Sequence, residues 1–426
     1  MSSRRSWDPV WGASRARVLN AIVAYVPFVL VLAALAPITW PTEGTGDTFY
    51  FWYAGHLVVT GSSPYDPSAW SGVGAFGNAA TNVVLLCTPP TDPSCLWSYP
   101  PLTAWLFAPF ALFDAHLGVL LLNLFLFITA GVSLVMLAHW MRARSAITRA
   151  LALSAFVASQ PFVFDVHAGH FDGLGIIGLL LVCGGLNSGR AVPVVAGALL
   201  LSLKPHMYVL VAVVVLALVL RERRWRVLAA TTLTLAIVSA AALARDTGAL
   251  TAMISGASAK AAEGNGWAST WAFAGSFVPD SPLVGYALVF AIGVAAMWTA
   301  VRNAPRGRQT DALVAGSAAL SLTLPPYLSP YDLMLTFPAL ALSLAIAERL
   351  AAPSRVILQS LIVFTLAIGT WVAIGMSHLQ NTVHGLPGAL PILALVYLAI
   401  ASAMHAHRSR DSERSAAAQL ARGSAA

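Results

Sequence analysis

Charge is what this chain has least of. Only 10% of its 426 residues are Asp, Glu, Lys or Arg, against roughly 25% in an ordinary soluble domain. The deficit runs the whole length, which excludes a conventional water-soluble protein and implies many membrane crossings. Lys204 and Lys260 are the two lysines among 24 basic residues. With Arg so dominant and Ala so frequent, the usage suggests a GC-rich bacterial genome. Cysteine is scarce as well, with 3 in all. Cys183 falls in an apolar run and is expected to be a small core residue. Cys87 and Cys95 fall in the first loop, where an oxidising compartment would favour a disulfide over two free thiols. A Walker loop, a dinucleotide fingerprint and an internal repeat are all lacking, which leaves no site for a soluble nucleotide. The net charge of +7 is no nucleic-acid signature, because the basic residues sit in short clusters between apolar runs.

What is present is apolar sequence, 58% of the chain. The reading is an all-α polytopic membrane protein with about twelve transmembrane helices and a long first loop on the outer side, residues 40–98. The first span is 18–39, with no small-residue cleavage site after it. Within the loop, residues 48–60 are expected as a short helix on the membrane surface. Residues 100–113 are read as interfacial and 117–140 as the second span. Arg-rich clusters at the N-terminus, 142–149, 221–226, 302–308, 349–355 and 408–414 place both termini in the cytoplasm. Residues 1–404 then form one membrane domain, and 405–426 a disordered cytoplasmic tail. At Lys204-Pro205 the chain should break, since proline disfavours helix at the preceding residue.

The acidic residues that are not cytoplasmic collect on the outer side. Gly46-Asp47 opens an aromatic strip, and its carboxylate is either a helix N-cap or a base beside a cavity. His167, His170 and two aspartates, Asp165 and Asp172, crowd a short outer turn, read as a polar cap on the next span or a cation site. Lys204 precedes Pro205-His206 within apolar sequence. Such a cation either marks a polar cavity or snorkels to headgroups. Tyr327, Tyr331 and Asp332 lie in a Pro-rich turn. An acid, a cation and aromatics on one face suit group transfer from a phosphate-linked lipid. A transporter or lipid flippase and a non-catalytic scaffold are the competing readings.

The order of short motifs carries a resemblance. Gly46-Asp47 is followed by Ala54-Gly55 and Gly61-x-x-Pro64-Tyr65. Then come Tyr99-Pro100-Pro101-Leu102, Gly169-His170 with Asp172-Gly173, and Leu203-Lys204-Pro205. This order resembles the GT-C superfamily, in particular its bacterial polyprenol-phosphate-sugar-dependent mannosyltransferases and arabinofuranosyltransferases. The resemblance implies an inverting hexosyl transfer, most simply of mannose, to a lipid or glycan acceptor on the outer face of the bacterial plasma membrane. It implies Asp47 as general base and Lys204, with His206 and His170, at the donor phosphate. Tyr50, Tyr99, His167, Asp172, Tyr327, Tyr331 and Asp332 complete the expected substrate site. No metal, soluble cofactor or nucleic acid is implied. Two departures bear on substrate choice: the family often has Gln at the position of His170, and Ser329-Pro330-Tyr331-Asp332 replaces a Ser-Trp and paired His.

Overall fold

The computed structural model of the chain describes residues 46–72, 97–143, 145–262, 268–379 and 385–423, with helical residues scattered between 18 and 34. Among these residues there are helices and no strand. Helix α1 is Gly46–Val59. Helix α2, Pro101–Phe107, continues as a 3-10 turn to Leu112. Helix α3 is Ala115–Trp140. Helices α4, Ala146–Ala158, and α5, Gln160–Ala168, meet at a 53° bend. Ser159 is extended there and Pro161 follows, so the helical ladder cannot run through. Helices α6, Asp172–Ser188, and α7, Ala191–Leu201, pack as a hairpin. Next come α8, Val209–Arg221, α9, Trp225–Leu243, α10, Ala249–Ala262, and α11, Thr270–Phe277. The chain closes with α12, Pro282–Asn303, α13, Gln309–Ser321, α14, Phe337–Ala347, α15, Ala352–Phe364, α16, Thr370–Leu379, and α17, Leu390–Gly423.

Twelve spans are not found among the described residues. Six helices are long and apolar enough to cross a membrane, or seven if the bent α4–α5 pair is one span. Helices α6, α7 and α8 have 17, 11 and 13 residues, short of the ~20 a straight crossing needs. The first apolar run lies only partly within the described residues, and Cys87 and Cys95 lie outside them. Residues 101–112, in the stretch read as interfacial, are helical, and at about 1.5 Å rise per residue they are too short to cross. Helix α1 is where the surface helix was expected, and its aromatic residues are packed into protein. Phe49, Phe51, Trp52, Tyr53, Ala54 and Leu57 are buried, because a helix that is apolar all round is driven inside. The expected disordered tail is helical to Gly423, with Ala, Gln, Leu and Arg as strong helix formers and an exposed His407–Asp411 pair one turn apart.

Helix α14 is the central post. All of its residues from Phe337 to Ala347 are buried; α13, α15 and α17 pack against it, and α12 packs on α13 and α17. The Arg-rich end is clamped by a buried ion pair. The Arg308 guanidinium donates to Asp311 at 2.9 Å and to the carbonyls of Trp140 and Met141, while the Asn187 amide donates to Asp311 at 2.6 Å. Asp172, at the other end of α6, stands about 22 Å away by helical rise.

A second apolar cluster, built on the α1 aromatics with Trp97, Phe107, Phe171 and Leu203, adjoins the main core. Two glycines allow that approach. A Cβ on Gly55 would come within 2.8 Å of the Phe107 carbonyl, so α1 and α2 touch backbone to backbone. Gly169 caps α5 at φ 66°, and a Cβ there would overlap the Thr48 hydroxyl, at 1.7 Å. Gly169→Ala therefore meets both left-handed strain of about 1–2 kcal/mol and a steric clash. Its thermal unfolding in detergent should begin several degrees below wild type. Gly189→Ala, also left-handed but with open space around it, should lose less.

Candidate active site

Four chain segments converge between the two apolar clusters. The first is the start of α1. Asp47 lies in its first turn, where the helix dipole favours a carboxylate. Thr48 fixes that turn by donating to Asn123 Oδ1 of α3 at 2.6 Å, fully buried. The second is the α5–α6 turn. Asp165 ties it from beneath: its carbonyl accepts from His170 N–H at 2.8 Å and its Oδ1 from Asp172 N–H at 3.1 Å. The left-handed Gly169 then turns His170 inward, to 1% exposure.

The third segment is the break between α7 and α8. Helix α7 stops at Leu201, and Pro205 begins a 3-10 turn, as the Lys-Pro pair requires. The Thr103 hydroxyl of α2 donates to the Leu203 carbonyl at 3.1 Å and holds the break against α2. The fourth is the 3-10 turn Pro330–Thr336, where Asp332 and Ser329 form a reciprocal capping box and Asp332 Oδ2 accepts from Ser329 N–H at 2.8 Å.

The Lys204 ammonium sits where these segments meet, 3% exposed. It donates to Asp332 Oδ1 at 2.7 Å and Asp172 Oδ1 at 2.8 Å, and lies 3.0 Å from His170 Nδ1. Those three partners use all three of its protons. As the site stands, Lys204 has none left for a donor phosphate. Its place is that of a buried counterion. Its ammonium also faces the rings of Phe171 at 5.0 Å and Tyr331 at 5.3 Å.

Against this buried layer lies a half-buried one: Asp47, Tyr50, Tyr99, Tyr327 and Tyr331. Tyr331 stacks on His170 at 4.0 Å, and Tyr99 Oη lies 3.1 Å from His170 Nε2. Tyr50 stacks on Trp70 at 4.8 Å and packs against Trp97 at 5.3 Å. The charge of Asp47 reaches all four tyrosines, and that of Asp332 reaches Tyr99, Tyr327 and Tyr331. Burial first, then Asp47 and Asp332, hold the Tyr99 phenol well above its ordinary range. Burial and then the neighbouring Tyr99 do the same for Tyr50. Both hydroxyls therefore keep their protons at any working pH and can donate hydrogen bonds.

Asp47, Tyr50, Tyr99, His170, Asp172, Lys204, Tyr327, Tyr331 and Asp332 are thus brought to one place. His167 is not. It lies exposed near the end of α5, on the other side of the turn that buries His170. His206 is exposed beyond Pro205. Two members lay outside the expected set. Asn123 was detectable as a lone amide in an apolar run, and Asp165 as one of four ionisable residues in a short turn. Asp165, His170 and Asp172 offer ligand atoms within 4.8 Å of one another, all buried, and Asp165 Oδ2 has no hydrogen-bond partner. The donor set would suit a cation, yet the Lys204 ammonium already stands against two of the three groups.

Removing that ammonium strands at least two buried carboxylates. Lys204→Met should cost about 3–5 kcal/mol, read as a fall in the unfolding midpoint. Adding Asp332→Asn, which removes one stranded charge, should recover part of it.

Residues 97–330 match the model of Glycosyltransferase family 87, more than half of the chain. No curated protein and no solved structure matches it. The matched stretch holds Tyr99, His170, Asp172, Lys204 and Tyr327, while Asp47 precedes it and Tyr331 and Asp332 follow it. A membrane-type helical fold and this family match agree, and the chain is a member of glycosyltransferase family 87, within the GT-C superfamily of membrane glycosyltransferases.

Proposed function

We propose that this glycosyltransferase moves a hexose, most simply mannose, from a polyprenyl-phosphate donor to a lipid or glycan hydroxyl with inversion at the anomeric carbon. Asp47 takes the proton of the attacking hydroxyl. The hydroxyl oxygen bonds to the anomeric carbon as the bond from that carbon to the phosphate oxygen breaks, and the polyprenyl phosphate leaves with the electron pair. The observation that carries this reading is the pairing of layers: a half-buried carboxylate among half-buried tyrosines, set against a buried, hydrogen-bonded cluster of ion pairs. A general base needs access to substrate and a rigid support, and the pairing supplies both. The donor arrives activated by its own phosphate, so the chemistry requires no soluble cofactor.

The distribution of charge supports an outward-facing site. The Arg308 clamp and the arginines after α3, α8, α12 and α14 lie at the opposite helix ends from Asp172 and Lys204. With the Arg-rich end in the cytoplasm, the site faces outward in a bacterial plasma membrane. A transporter reading finds less support, because Lys204 is committed to its partners rather than presented to a passage.

Membranes holding wild type or Asp47→Asn, incubated with labelled polyprenyl-phosphate sugars, test the assignment. Loss of the base should lower transfer by about 10²–10⁴-fold while the unfolding temperature stays within a degree or two. Asp47→Asn retaining most of the wild-type rate would remove Asp47 from the mechanism.

A further inference from the structure

At the Arg-rich end of the molecule, away from the candidate active site, three helix ends close on a cavity of about 370 Å³. They are the starts of α4 and α15 and the finish of α14. Gln359 sets their spacing. Its amide nitrogen donates to the Thr148 hydroxyl at 3.3 Å and to the Leu344 carbonyl at 3.4 Å, joining α15 to α4 and α14. The lining changes character with depth. Ser145, Glu348 and Arg355 stand at the helix ends. Leu151 and Val363 line the other part, about 9–12 Å further along α4 and α15 by helical rise. Ile147, Val356, Ile357 and Phe364 are exposed alongside, so the cavity borders an apolar surface of the kind that faces lipid.

The Arg355 guanidinium is half-buried in this lining, and no described residue gives it a hydrogen bond or an ion pair. A guanidinium fork matches phosphate oxygens in pairs of hydrogen bonds. Ser145 Oγ accepts from Ile147 N–H at 3.1 Å, which leaves its own proton to donate. The carboxylate in the lining, Glu348, is committed: it accepts from Ser145 N–H and makes a further interaction besides. Arg142 is exposed just before Ser145, and the Arg408 guanidinium donates to the Arg349 carbonyl at 2.7 Å. Both add positive charge to the same end, and two helix N-termini outweigh one C-terminus there. We propose that the cavity binds one anionic phospholipid of the leaflet on the Arg-rich side, its phosphodiester on Arg355 and Ser145 and an acyl chain along Leu151 and Val363. Basic pockets between membrane helices suit such headgroups. A zwitterionic headgroup would bring its ammonium among the arginines, and free phosphate would leave the apolar half of the cavity unfilled. The site is independent of the transfer reaction and of which leaflet is cytoplasmic.

Full-length protein in detergent, titrated with radiolabelled phosphatidylglycerol, tests it. Wild type should bind saturably, one lipid per chain. Arg355→Gln should weaken binding by about tenfold or more, the worth of hydrogen bonds to a charged group. Because the guanidinium has no protein partner, this variant should melt with wild type when lipid is absent. Arg226→Gln removes the same charge at the start of α9, outside the cavity, and should stay within about twofold of wild type. Leu151→Trp fills the apolar end without touching the charge, and should also weaken binding; it decides the matter if Arg355→Gln does not fold. Equal losses in Arg355→Gln and Arg226→Gln would reveal attraction to net charge alone and overturn the proposal. Equal affinity for phosphatidylcholine would overturn it too, as would the lack of saturable binding. Inorganic phosphate displacing the lipid at comparable concentration would leave an ion site with no place for an acyl chain, and the lipid assignment would fall.

Discussion

An ammonium held away from water persists only where negative charge is set against it. Lys204 is under that constraint, and its two carboxylate partners come from distant parts of the sequence. Asp172 starts α6, and Asp332 lies in the 3-10 turn that leads into the central helix α14. To bring them together, α7 must break at Lys204, the turn before α6 must be tight, and the chain must cap itself at Ser329. The most irregular backbone near the site thus serves one electrostatic requirement. The net benefit of the ion pairs themselves is modest, because three buried charges forgo hydration. Their effect is to fix where four segments meet.

The fold divides labour between the two sides of that meeting point. On one side lies the main core around α14, and on the other the aromatic cluster built on α1. Neither cluster alone holds the site. The turn from Val166 to Phe171 passes from one to the other, and Gly169 lets the Thr48 hydroxyl close against it. The result is a layer of polar groups with fixed partners, faced by tyrosines and a carboxylate that remain partly open. Such a division suits group transfer, where the reacting groups must be reachable but must not reorganise.

Much of the site was legible in the sequence, and the membrane topology less so. A lysine before proline in apolar sequence announced both a break and a buried partner, because the local rule and the cost of a lone charge point the same way. Motif order placed Asp47, Tyr99, His170 and Lys204 in one family pattern. The identity of Lys204's second partner was not legible, since Asp332 lies 128 residues away and no local rule spans that distance. The expected twelve spans are not matched among the described residues for a related reason. Hydropathy measures how apolar a run is, and not what surrounds it. The span Pro330–Ala347 is 94% buried in protein and Trp225–Leu243 only 11%, yet both look alike as strings of apolar residues. The burial of the α1 aromatics was hidden in the same way, because such residues serve a core as readily as an interface.

The C-terminal helix carries a consequence of its own. Helix α17 has 34 residues, about 50 Å at helical rise, while a bilayer's hydrocarbon slab is about 30 Å thick. Residues 409–422 lack the apolar face that the earlier part of the helix buries against α12 and α14. A continuous helix transmits direction as well as distance. Residues 409–422 carry that helix about 20 Å past its apolar part as a stiff mast, its bearing set by the packing of the helical core.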